Sequence, residues 1–95
     1  MCIEEFMNSI SSASPPHGLN DLLVALWWDR KGDWDRAHAI AQENHTRNGS
    51  KVHAYLHRVE GDLWNAGYWY EKANTVLPDS MSLEEECERL IKELL

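Results

Sequence analysis

The sequence predicts an all-α protein made of two stacked antiparallel helical hairpins, and three observations carry that prediction. The first is an internal echo: Gly32-Asp33-Trp34-Asp35-Arg36-Ala37 returns as Gly61-Asp62-Leu63-Trp64-Asn65-Ala66. In both copies a glycine can end a helix in the left-handed conformation, where a Cβ would be strained. The aspartate that follows can accept from the free N–H groups of the next first turn, so a new helix starts at once. The second observation is apolar spacing at helical period, as in Val52, Tyr55, Leu56 and Val59. The third is a capping box, Ser82-Leu83-Glu84-Glu85, opening a last amphipathic segment.

Taken in order, residues 1–16 form an N-terminal arm and linker. Ile3, Phe6, Met7 and Ile10 make one apolar helical face that must dock on something, and Ser11 to Pro16 is a Ser/Pro linker. Residues 17–78 hold the two hairpins. The first helix is expected over about Leu19 to Lys31 and is apolar almost all round, through Leu22, Leu23, Val24, Ala25, Leu26, Trp27 and Trp28. Such a helix has to be covered on more than one side. The arm, the C-terminal helix or a second subunit would supply the extra cover.

The second helix is expected over Trp34 to Arg47, with Ala37, Ala41 and Asn44 as a stripe of small residues and His38, Gln42 and His45 beside it. Asn48-Gly49 reads as a turn and Ser50 as the N-cap of a third helix over Lys51 to Glu60. On that helix His53, His57 and Glu60 line up beside the apolar face. A fourth helix over Leu63 to Thr75 packs through Ala66, Tyr70 and Ala73, flanked by Trp64 and Trp69, and ends before Pro78. Residues 79–95 are a capping helix whose apolar face is Leu83, Cys87, Leu90, Ile91 and Leu94.

Gly61 follows Gly32 by 29 residues, and that shift matches Ala25 with Ala54, Ala37 with Ala66, Ala41 with Tyr70 and Asn44 with Ala73. A small residue within the first helix, a corner glycine, then alanine, an aromatic and alanine down the second helix resembles the tetratricopeptide repeat. Pro78 falls where that repeat closes, and Gly61 to Pro78 is the better copy. The period is short against the usual length of about 34 residues. The resemblance implies stacked helix pairs whose first helices form a concave face for a peptide or extended protein segment. Here that face would offer Leu22, Leu26, Asp29 and Arg30 from one pair, and Lys51, Tyr55 and Arg58 from the next.

Charge and composition narrow the function. The chain of 95 residues carries 9 basic and 16 acidic side chains, for a net charge of −7. An acidic surface repels phosphate backbones and anionic lipid, so nucleic acid and membrane are not expected partners. Two unpaired-looking cysteines, Cys2 and Cys87, and an N-terminus with Glu4 and Glu5 but no basic leader lead to an expected cytoplasmic location. The longest apolar run, Leu22 to Trp28, is too short to span a bilayer.

The chemistry sits in the histidines. His38, His45, His53 and His57 fall where the repeat places contacts between its second helix and the following one, so they are expected to share one seam. His-x-x-x-His sets two imidazoles on one helical face, a spacing able to chelate zinc, nickel or copper. The plainer reading is half-buried histidines bonded to Gln42, Glu60, tyrosine or backbone. No serine or cysteine stands in a nucleophile setting. The tryptophans read first as packing and secondly as an aromatic patch for a partner. The expected function is therefore a non-catalytic protein-interaction module without cofactor, whose partner is a protein, a peptide or a second copy of the chain. A histidine-lined metal-binding protein is the alternative, and a small enzyme with His53 or His57 as general base the third.

Overall fold

The computed structural model describes Met1–Leu95 and contains helices and no strands. The elements are α1 (Ile3–Asn8), a 3-10 turn (Ser9–Ser11), α2 (Asp21–Lys31), α3 (Trp34–Gln42), α4 (Arg47–Glu60), α5 (Leu63–Lys72) and α6 (Leu83–Leu94). No helix is long and apolar enough to cross a membrane.

The two Gly-Asp corners have one geometry. Gly32 and Gly61 end α2 and α4 at φ of 96° and 86°. At the first corner the Gly32 N–H donates to the Asp29 carbonyl and the Asp33 N–H to that of Trp28. At the second, Gly61 donates to Arg58 and Asp62 to His57. This is the bonding of a Schellman stop, which satisfies carbonyls the helix end leaves free. Asp33 then accepts from the Arg36 N–H at 3.1 Å and Asp62 from the Asn65 N–H at 3.2 Å. The result is two helix pairs, α2/α3 and α4/α5, with α3 packed against α4.

The join between the pairs differs from the expectation. Asn48, Gly49 and Ser50 lie inside the first turn of α4, and α3 stops five residues early, at Gln42. Thr46 is the N-cap, accepting from the Gly49 N–H at 3.1 Å. Asn44 organises the connection. Its amide donates to Asp21 at 2.9 Å, and its side-chain oxygen accepts from the Thr46 N–H at 3.0 Å. Gly49 is needed for close approach rather than for a turn, because a Cβ there would sit 2.0 Å from the Asn44 carbonyl oxygen.

Both ends of the chain close on α2. Phe6 from α1 and Cys87, Leu90 and Ile91 from α6 join Leu22, Leu26, Trp27, Val52 and Leu56 in one buried core. Trp27 is fully buried, and its indole N–H donates to Ser9 Oγ at 3.0 Å. The all-round apolarity of α2 is thus satisfied within the chain. The Ser82–Glu85 capping box forms as read from the sequence.

Candidate metal centre

The proposed concave face is an interior seam. Leu22, Leu26 and Tyr55 are buried, and the cations beside them are engaged by α6. Arg30 makes a two-pronged pair with Glu84 at 2.8 and 3.0 Å, and Lys51 meets Glu93 at 2.8 Å. Arg58 pairs with buried Glu86 at 2.9 Å and also donates to the Met81 carbonyl. Glu86 accepts a second bond from Tyr70 at 2.5 Å, and Tyr55 donates to Asp29 at 2.8 Å. The capping helix occupies the place where the resemblance put a peptide, because three of its glutamates match the cations there. Cys87 lies in the same seam, and burial pushes its thiol up to about 11, so it is no nucleophile at neutral pH.

The histidine seam forms on the other side of α4. His38 comes from α3, while His53 and His57 sit one turn apart on α4. One ring nitrogen of each lies within 4.8 Å of the others. The Nε2 atoms of His38 and His53 are 2.9 Å apart. His45 does not join them. The early end of α3 leaves it exposed in the α3–α4 connection, and Gln42, the last residue of α3, is exposed as well. Four expected donors become three.

Aromatic rings wall the cluster. Trp34, one turn before His38, stacks on it at 4.8 Å between ring centres, and its indole N–H donates to the Leu56 carbonyl at 2.7 Å. Trp69 from α5 stacks on His53 at 4.0 Å. The sequence carried a signal for Trp34, an i, i+4 aromatic–histidine pair on one helix. It carried none for Trp69, which reaches His53 across two helices.

Burial and the neighbouring imidazoles favour the neutral forms of His38 and His53. Burial, then the neighbouring His38 and His57, press His53 down to about 4. His38 is lowered by burial and by His57, against opposing pulls from Glu60 and Asp35. His57 Nδ1 lies 2.6 Å from Glu60 Oε2. A carboxylate only accepts, so His57 carries its proton on Nδ1 and leaves Nε2 bare when neutral. A carboxylate that orients a histidine and fixes its tautomer is the usual support behind a metal ligand. A second grouping, His57, Glu60 and Asp62, shares that residue. Its carboxylates are already in use, Glu60 on His57 and Asp62 on the first turn of α5.

Imidazoles converging from two helices, with one oriented by a carboxylate, fit a borderline divalent ion such as zinc, nickel or copper. Around a tetrahedral ion with bonds of about 2.0–2.1 Å the nitrogens stand about 3.3 Å apart. The His38 and His53 nitrogens, at 2.9 Å, need only a small separation to reach that spacing. Fold and site together define an all-α protein of paired helices carrying a walled three-histidine cluster. No protein-family model, curated protein or solved structure matches the chain.

Proposed function

We propose that this is a small protein that binds a transition-metal ion through His38, His53 and His57. One observation carries the reading: three buried or half-buried imidazole nitrogens from two helices lie within 4.8 Å of one another. The lowered proton affinity of His38 and His53 and the Glu60 contact to His57 support it, because a ligand histidine must be unprotonated and oriented. The test is metal content after purification without a histidine tag. One equivalent of zinc, copper or nickel in the wild type, and none in His53→Gln, is the expected result. A metal-free protein that takes up no ion on dialysis against these salts would end the proposal.

A second reading, the protein-interaction module, draws support from another surface. Leu63, Trp64 and Tyr68 of α5 are exposed, Trp64 by 79%. Trp64, Tyr68 and Glu71 fall on one helical face, and the chain is strongly acidic. The partner that fits is a protein with an apolar patch edged by basic residues. Co-purification of a basic partner with wild-type protein and with Trp64→Phe, but not with Trp64→Ser, is the expected pattern. The matching geometry of the two Gly-Asp corners supports the tetratricopeptide resemblance behind this reading.

A further inference from the structure

We infer that the ion held by His38, His53 and His57 keeps one coordination position open to a small exchangeable ligand, water at rest and a small anion when one is supplied. The inference rests on the metal reading above and concerns what the site does once loaded.

The argument is a count of donors. A tetrahedral ion takes four ligands, and the cluster supplies three. Every other residue able to complete the set is bonded elsewhere or lies outside the group of converging donors. Glu60 is bonded to His57 Nδ1 at 2.6 Å. Asp62 is held by the Asn65 N–H and side-chain amide, the latter at 2.7 Å. Asp35 lies exposed on α3, and His45 is exposed beyond the end of that helix. Cys87, on the buried face of α6, is in the core seam with Tyr55 and Leu90. Structural ion sites are closed by four protein ligands, whereas sites with three leave the fourth position to water or substrate.

The walls set the size of that ligand and its approach. Trp34 covers His38 and Trp69 covers His53. His53 and His57 are buried, while His38 is half-exposed, so solvent reaches the cluster beside His38. The main clefts of the molecule are lined by other residues. With Trp34 and Trp69 stacked on two of the three rings, the approach beside His38 suits a ligand of a few atoms. Three neutral imidazoles leave the ion its full double charge, which favours an anion and lowers the pKa of bound water towards about 7.

Cobalt(II) and azide test this on the full-length protein. Tetrahedral cobalt absorbs strongly in the visible, and replacement of its water by azide shifts the bands. The expected result is one cobalt bound per chain and a saturable shift with one azide per cobalt. His38→Gln, at the half-exposed position least able to disturb folding, should weaken cobalt binding about 100-fold, and His45→Ala should leave it unchanged. Glu60→Gln should keep the azide shift. Cobalt bound with a spectrum that azide does not move would overturn the open position while leaving the metal reading intact. A shift seen only in Glu60→Gln would identify Glu60 as the fourth ligand and overturn it equally. Failure to bind cobalt, nickel or zinc at all would remove both readings.

Discussion

His38 Nε2 and His53 Nε2 share one hydrogen bond, 2.9 Å long, that joins the first helix pair to the second. One nitrogen donates and the other accepts, so the bond exists only while at least one of the two rings lacks its second proton. The contact that joins the pairs is thereby tied to pH. His57, Glu60, Asp35 and Lys72 are the other charged or titratable groups that act on these two rings.

The first prediction follows from the sign of the shift. His53 titrates near 4 in the folded chain against an ordinary 6.5. As pH falls below 6.5 the unfolded chain takes up the proton first. Stability is therefore full above that value, falls between it and about 4, and loses nothing more to this residue below. His53 alone accounts for up to about 3 kcal/mol of the fall. Urea midpoints measured from roughly pH 8 to 4 should show the decline, and His53→Leu should flatten it. A wild-type midpoint constant from pH 8 to roughly 5 would contradict the assignment.

Saturating zinc should raise the melting temperature. Free ion at about 100 times its dissociation constant adds about 2.7 kcal/mol. For a domain of this size each kcal/mol moves the midpoint by about 4–8 °C. A rise of about 10–20 °C in calorimetry, absent in His53→Gln and His57→Gln, is expected.

Glu86 should be the most sensitive charged position in α6. It is 5% exposed and accepts from both Arg58 and Tyr70. Glu86→Ala leaves the buried Tyr70 hydroxyl without its acceptor and the half-buried Arg58 guanidinium with only the Met81 carbonyl, at a cost of about 3 kcal/mol. Glu84→Ala, at an exposed carboxylate, should cost less than about 1 kcal/mol. Chemical denaturation of the two variants side by side checks the contrast.

Gly49→Ala and Gly67→Ala should differ in sign. A Cβ at residue 49 meets the Asn44 carbonyl at 2.0 Å, so the connection must move and the Asn44–Thr46 bonds break. The expected loss is about 2 kcal/mol or more. Gly67 lies within α5 with open space around its Cβ position. Alanine there should stabilise by about 0.5–1 kcal/mol through helix propensity. Thermal melts of both variants read the difference.

The helices were legible wherever a local signal marked them. Gly32-Asp33 and Gly61-Asp62 announced both corners because their stops and caps need only neighbouring atoms. The Ser82 box announced α6 for the same reason. Asn48-Gly49 misled because a glycine chosen for close contact with Asn44 looks like one chosen for a turn. The histidine seam was legible in three of its four members. His38, His53 and His57 follow from helical spacing plus the pairing of α3 with α4, but His45 depended on α3 continuing to Arg47, and Asn44 ends that helix by bonding to Asp21 and Thr46.

The sequence by itself determined the helical content, the two corners and the amphipathic C-terminal helix, because capping and periodicity act within a few residues. Only the tertiary structure decided that α6 fills the face between the two pairs, through Glu84, Glu86 and Glu93 on Arg30, Arg58 and Lys51. It alone set Trp69 over His53 and brought the imidazoles of α3 and α4 within 4.8 Å of one another. Those contacts join residues distant in the chain, and their distances depend on how helices pack rather than on how each one forms.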